Sequence, residues 1–116
     1  MWYVDYYEKE NGDVPVIEFL KGLTDKMQAK ALRAIDLLEE KGTTLKEPYV
    51  KSVEGPIWEL RIKFASDITR IFYFAPCGNK FILLHGFVKK TDKIPPRVKA
   101  LAKSYYEDYQ RRFPAK

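Results

Sequence analysis

The stretch from residue 57 to residue 88, "IWELRIKFASDITRIFYFAPCGNKFILLHGFV", decides the fold because its apolar residues recur with the period of β-strands. In "IWELRIKF", apolar and charged residues alternate, which puts Trp58 on an apolar face that we expect in the core, and Glu59, Arg61 and Lys63 on the opposite face. The following runs "ITRIFYFA" and "KFILLHGFV" are β-branched and aromatic, and "PCGN" between them is typical of a hairpin turn. The stretch therefore predicts an antiparallel meander of three strands.

The segments on either side of the meander add one strand and three helices. "WYVDYY" alternates bulky and polar residues like a strand, and apolar residues recur at helical spacing after Pro15 and again from about Asp25 to Lys41. After Pro96, apolar residues recur at helical spacing once more. We expect an α+β fold, with an N-terminal strand and a helical hairpin packed on the meander, a C-terminal helix, and one domain over residues 1–116.

Length and composition exclude several classes of protein. No apolar run approaches the roughly 20 residues that span a bilayer, and the first ten residues are acidic and aromatic, unlike a signal peptide. Cys77 is the only cysteine and His85 the only histidine, so we expect no internal disulfide, no metal site and no cofactor. These features predict a cytoplasmic protein with no membrane partner.

The net charge of +5 is concentrated near the C-terminus. Nine basic and three acidic residues follow Gly86, whereas residues 1–86 are close to neutral. A basic surface at one end of a small domain favours a polyanionic partner, because binding of phosphates releases counterions. The alternative, a solvated helix face, is equally consistent with the charge by itself.

Polar residues from all three strands of the predicted meander can converge on one face. The candidates are Glu59 and Arg61 on one strand, Arg70 on the next, and His85 with Lys89 and Lys90 at the end of the last. Arginine binds phosphate oxygens through two parallel hydrogen bonds, lysine supplies a point charge, and glutamate or histidine can accept or donate a proton. Such a group can promote attack by the 2′-hydroxyl of RNA on its own phosphodiester without a metal ion.

The order of motifs in this chain resembles that of the RelE and HigB type of toxin from bacterial toxin–antitoxin modules, and more narrowly the phage-related HigB-like branch. The motifs are "GPIWELRI", then "TRIFYF", then "LLHGFVKKT" followed by a proline and a helix. The resemblance covers nearly the whole chain. It implies a ribosome-dependent endoribonuclease, an mRNA interferase that cuts messenger RNA and inhibits translation. It also implies a cognate helix-turn-helix antitoxin as partner.

The resemblance also suggests roles for individual residues. Arg61 matches a basic residue that contacts RNA, Arg70 matches an arginine that stabilises the scissile phosphate, and Lys90 falls where the family places a cation after the last strand. Glu59 occupies a position that is a general base in some relatives and a lysine in others. The C-terminal tyrosine of RelE has no evident match here.

We therefore predict a catalytic group and an RNA-binding group. The predicted catalytic residues are Glu59, Arg61, Arg70, His85 and Lys90, and the predicted RNA-binding residues are Lys63, Lys89 and Lys93.

The same residues also allow purely structural interpretations. Glu59, Arg61 and Arg70 could form ordinary cross-strand ion pairs, and His85 could be a half-buried structural residue. The whole chain could instead be a non-catalytic nucleic-acid-binding or docking module of phage origin, or a ParE-like gyrase inhibitor that shares the fold. Gly86 is expected to permit a bend or a close approach of another chain.

Overall fold

A computed structural model describes residues 1–76, 78–89 and 93–114, and for Lys89 it describes the backbone alone. The elements follow the order β1 (Tyr3–Tyr6), α1 (Pro15–Lys21), α2 (Asp25–Lys41), β2 (Val50–Glu54), β3 (Ile57–Phe64), β4 (Asp67–Phe74), β5 (Lys80–Lys89) and α3 (Pro96–Arg112). A short 3-10 turn, Gly42–Thr44, follows α2.

The strands form one five-stranded sheet in the order β1-β5-β4-β3-β2. The predicted meander is confirmed, because β3, β4 and β5 pair antiparallel in sequence order. The N-terminal strand β1 pairs parallel to β5, and the chain between these two strands runs through α1, α2 and the strands β2, β3 and β4. The α+β fold with an N-terminal strand, a helical hairpin and a C-terminal helix is therefore confirmed.

Strand β2 was not predicted from the sequence. It is a short edge strand that pairs with β3, and three of its five residues are exposed. Its sequence "VKSVE" is mostly polar and lacks a regular apolar alternation. Backbone pairing with β3 and the burial of Val50 in the apolar cluster beneath the helices together place it in the sheet.

Helices α1 and α2 cover one face of the sheet. Buried side chains from both helices pack there against Leu60 and Ile62 of β3 and Leu83 of β5. Gly86 allows α1 to come close, because a Cβ atom at this position would lie 2.1 Å from the ring of Phe19. The close approach at Gly86 is thus made by a helix of the same chain.

Helix α3 covers part of the opposite face. Its buried residues Val98 and Ala102 pack with Phe72, Phe74 and Leu84 in a second apolar cluster. The residues at odd positions of β3 point toward this face, which we call the front face. None of the helices in the described part of the chain is long and apolar enough to span a membrane.

Trp58 differs from its predicted position in the core. It lies on the side of the sheet that α1 and α2 cover, but 41% of its surface is exposed. It borders an open apolar groove together with Val50 and Tyr73.

Candidate functional site

The strand register brings the predicted site residues onto the front face. Arg61 of β3 lies directly opposite Arg70 of β4, and Arg70 lies opposite Phe87 of β5. In the neighbouring row, Phe72 of β4 lies between Glu59 and His85. Directly opposed residues of antiparallel strands project to the same side, so these side chains share one surface.

Glu59, Arg61 and Arg70 form an ionic cluster at the centre of this face. The Nε atom of Arg70 lies 3.1 Å from Oε2 of Glu59, and the Nε atom of Arg61 lies 3.5 Å from Oε1 of the same carboxylate. One carboxylate thus holds two guanidinium groups, and the sequence-based expectation that these residues converge agrees with this geometry. We call the three residues the Glu59 cluster.

Burial differs sharply within the Glu59 cluster. Arg70 is 0% exposed and Glu59 is 3% exposed, whereas the side chain of Arg61 is 19% exposed. A buried guanidinium needs a counter-charge, since its desolvation in an apolar core is costly. Glu59 and Arg70 therefore form the buried base of the cluster, and Arg61 is the member that reaches solvent.

His85 lies apart from the Glu59 cluster. Phe72 separates it from Glu59 across the sheet, a distance of about 10 Å between the two outer strands at normal strand spacing. Its ring contacts Tyr105 of α3 edge-on, with 6.0 Å between the ring centroids. The register therefore places His85 under α3 and away from Arg61.

The imidazole of His85 is held in its neutral form. Burial lowers its pKa, and the positive charge of Lys9 lowers it further. Its Nδ1 atom is buried and has no hydrogen-bond partner among the described residues. His85 is therefore unprotonated at neutral pH and is a weaker base than an exposed histidine, and its side chain is half-buried.

The predicted lysines differ in what the structure describes. Lys63 is exposed at the end of β3 and projects toward the same face as Arg61, and Lys93 is exposed before α3. Lys89 pairs through its backbone with Ile68, and its side chain is outside the described part. Lys90 lies outside the described residues.

A second polar cluster, which the sequence did not indicate, fixes the C-terminal part of α3. The hydroxyl of Tyr7 donates a hydrogen bond of 2.6 Å to Oδ2 of Asp108, and Nε of Arg112 donates one of 3.0 Å to the same oxygen. These hydrogen bonds, that of Tyr7 above all, lower the pKa of Asp108. Tyr7 and Asp108 are 101 residues apart, so no local pattern could have revealed this contact.

Metal-binding residues do not cluster in the described ranges. Within 1–76, 78–89 and 93–114, no group of three or more histidine, cysteine, aspartate or glutamate side chains could hold a metal ion. The guanidinium of Arg61 and the neighbouring lysines can bind an anion, and Glu59 and His85 are candidate proton acceptors.

Comparison with known proteins gives a family match. Residues 18–107 match the family described as phage-derived protein Gp49-like (DUF891), which spans α2, the whole meander and most of α3. No curated protein matches the sequence significantly. The family match is consistent with a toxin of a toxin–antitoxin system, in agreement with the coarser part of the resemblance seen in the sequence. Since the match covers well over half of the chain, this protein belongs to the Gp49-like family of phage-derived proteins.

Proposed function

We propose that this protein is the toxin of a toxin–antitoxin module and acts as a metal-independent endoribonuclease on messenger RNA. The observation that carries the proposal is the Glu59 cluster, in which one buried carboxylate presents a partly exposed arginine on an open part of the sheet. The match of residues 18–107 to the Gp49-like family supports the toxin assignment.

In the proposed reaction, Arg61 binds the scissile phosphate. The ion pair with Glu59 orients its guanidinium, and a second ion pair, with the buried Arg70, holds Glu59 in place. Lys63 projects to the same face as Arg61 and adds positive charge there. Lys90 as a catalytic cation, and Lys89 and Lys93 as RNA contacts, are proposed from the sequence motifs. Positive charge at this position stabilises the additional negative charge that develops on the phosphorane.

The cleavage itself requires transfer of two protons. A base removes the proton of the 2′-hydroxyl, the 2′-oxygen forms a bond to phosphorus, and the bond to the 5′-oxygen breaks as an acid protonates that oxygen. Glu59 and His85 are the proton-transfer residues that the sequence predicts, but the strand register sets His85 away from Arg61 and leaves Glu59 beside it. Glu59 already forms ion pairs with two arginines, so it fits a positioning role better than the role of base.

The proposed partners follow from the proposed activity. Messenger RNA on the ribosome is the substrate, inhibition of translation is the result, and a cognate helix-turn-helix antitoxin neutralises the protein in the cytoplasm. The reaction needs no cofactor.

Induction of the protein in bacterial cells without an antitoxin tests this proposal. We expect growth arrest and new 5′-ends in translated messages, and we expect Arg61→Ala to abolish both while the protein stays folded. Lys26→Ala, which removes one exposed charge from the start of α2, is the matched control and should cut like the original chain. Intact messages in cells that accumulate folded protein would overturn the ribonuclease assignment.

The burial of Arg70 favours a second candidate, a non-catalytic nucleic-acid-binding module. In that case Arg70 and Glu59 would serve stability alone, and Arg61 and the lysines would bind RNA without cleaving it. RNA binding without new 5′-ends would support this candidate. Growth arrest with intact messages and damaged DNA would instead indicate a gyrase inhibitor.

A further inference from the structure

A groove of about 400 Å³ lies beside α2, at the edge of the sheet. It runs between α2 and the second half of β3, and we call it the α2–β3 groove. Residues of α2 and β3 form its two walls, and Tyr49, from the loop before β2, lies between them in the sequence. The lining residues used below are Lys30, Arg33, Leu37, Tyr49, Arg61 and Lys63.

The groove exists because β2 is shorter than β3. The last residue of β3 that pairs with β2 is Leu60, and the backbone N–H of Arg61 then donates to the carbonyl of Tyr49 at 2.8 Å. No strand in the described part of the chain pairs with Ile62–Phe64 on that side. This end of β3 is therefore an open sheet edge.

Basic residues line one end of the α2–β3 groove. Lys30, Arg33 and Lys63 form no ion pair or hydrogen bond with any described residue, and Lys30 lies over the ring of Phe64, with Nζ 5.2 Å from the ring centroid. Asp36 and Glu40 line the same groove but lie further along α2. The part of the groove nearest Lys63 therefore favours an anionic ligand.

Arg61 connects the groove to the Glu59 cluster. Its guanidinium lies beside Glu59 on the front face, and its side chain also lines the groove. A ligand bound at Arg61 can thus continue around the edge of the sheet without leaving positively charged protein surface. Tyr49, which is 52% exposed, lines the same groove.

We propose that the α2–β3 groove binds single-stranded RNA that continues from the proposed cleavage site, with phosphates at Lys30, Arg33 and Lys63 and a base stacked on Tyr49. The inference rests on the proposed function. It extends the RNA contact to α2 and to Tyr49, neither of which the sequence motifs indicated.

The combination of side chains favours single-stranded RNA over other anionic ligands. Cations that are free of ion pairs to described residues can neutralise successive phosphates, and an exposed tyrosine can stack on an unpaired base. A duplex keeps its bases stacked on one another, so it could use the cations but not Tyr49. An acidic protein segment would gain nothing specific from stacking.

Binding of a labelled, unstructured oligoribonucleotide to the purified protein, measured over a range of salt concentrations, tests this proposal. We expect Lys30→Ala/Arg33→Ala to weaken binding and to reduce the slope of log affinity against log salt by about 1.4, because each phosphate contact of a single strand contributes about 0.7. Lys21→Ala/Lys26→Ala removes the same charge from residues that do not line the groove, and should leave the slope unchanged.

Tyr49 gives a second and independent readout. We expect Tyr49→Leu to weaken binding by roughly tenfold, and Tyr49→Phe to retain affinity because the ring still stacks. Binding of a duplex of the same sequence should not respond to Tyr49→Leu.

The outcomes separate this inference from the proposed function. Equal slopes for the two double variants, equal affinity for Tyr49→Leu, or no RNA binding by the original chain would overturn the groove assignment, whether or not the protein cleaves messages. Groove-dependent binding by a chain that cuts no message would support the groove and contradict the ribonuclease proposal.

Discussion

Glu59 is the residue on which the ionic cluster of the front face depends. It is buried, and it faces one fully buried and one partly buried guanidinium. The sequence placed Glu59 and Arg61 on one strand face, but it could not show that Arg70 is completely enclosed. A charged residue in a strand indicates an exposed side chain unless a neighbouring element covers that face of the sheet.

Substitution of Glu59 tests how much the buried counter-charge contributes. We expect Glu59→Gln to lower the free energy of unfolding by about 3–5 kcal/mol, because it leaves the buried Arg70 without its carboxylate. Urea denaturation monitored by tryptophan fluorescence measures the change. Glu59→Leu/Arg70→Met removes both charges and should restore most of the stability. A loss in Glu59→Gln no larger than that of a surface substitution would contradict this account.

Gly86 is required by the packing of α1 on β5. We expect Gly86→Ala to destabilise the fold by about 1–3 kcal/mol, because the new methyl group overlaps the ring of Phe19. Gly22→Ala is the control, since Gly22 has an ordinary helical φ of −83° and a Cβ there would make only a normal contact. Equal stability of the two variants in urea would show that α1 can shift without cost.

His85 makes the stability of the fold depend on pH. Its pKa in the folded protein is lower than the unfolded value of 6.5, so the unfolded state binds the proton more readily. The free energy of unfolding should therefore be constant above about pH 6.5 for this group, and should decrease as the pH falls below that value until the folded-state pKa is passed. His85→Gln should remove this part of the pH dependence.

NMR titration can follow His85 directly because it is the only histidine. We expect an imidazole pKa below 6.5 in the original chain and a higher one in Lys9→Met, which removes the second cause of the shift. An unshifted pKa in the folded protein would show that solvent reaches the ring freely.

At the scale of elements, Tyr7 fastens α3 to the rest of the fold. Burial and the hydrogen bond to Asp108 raise the pKa of Tyr7 to about 12, so the hydroxyl remains a donor at physiological pH. The ring of Tyr7 also stacks on Tyr105, with 4.8 Å between centroids. The contact joins the segment after β1 to the last two turns of α3.

Removal of the Tyr7 hydroxyl should loosen the end of α3. We expect Tyr7→Phe to raise the pKa of Asp108 and to increase amide hydrogen exchange in the last turns of α3, while the sheet exchanges as before. Tyr3→Phe, which removes a hydroxyl from an exposed tyrosine, is the matched control. Unchanged exchange near Asp108 would mean that apolar packing of α3 is sufficient to hold its end.

At the scale of the whole molecule, the sheet has an apolar cluster on each face. The first lies beneath α1 and α2, and the second lies beneath α3. Loss of α3 would expose buried aromatic residues of the second cluster, such as Phe72 and Phe74, to water. The two clusters share the sheet, so we expect them to depend on each other.

Truncation before α3 tests this dependence. A chain that ends at residue 95 should lose cooperative unfolding in urea and should bind hydrophobic dyes, because the second apolar cluster has no cover. The full chain under the same conditions is the control. Cooperative unfolding of the truncated chain would show that the first cluster is sufficient for folding.

The sequence by itself determined the class of fold, the meander and the helices, because apolar periodicity is a local property of the chain. It also placed Glu59 and Arg61 on one strand face. It missed β2, whose polar sequence carries no periodic signal, and it placed Trp58 in the core although the residue is 41% exposed.

The tertiary structure decided which of the predicted site residues come together. Strand register put Arg70 beside Glu59 and set His85 apart from both, while the short length of β2 left open the groove beside Arg61. These relations join residues distant in the sequence, and the contact of Tyr7 with Asp108 is the extreme case. Local patterns could not determine them, because burial and side-chain contact depend on how separate elements pack.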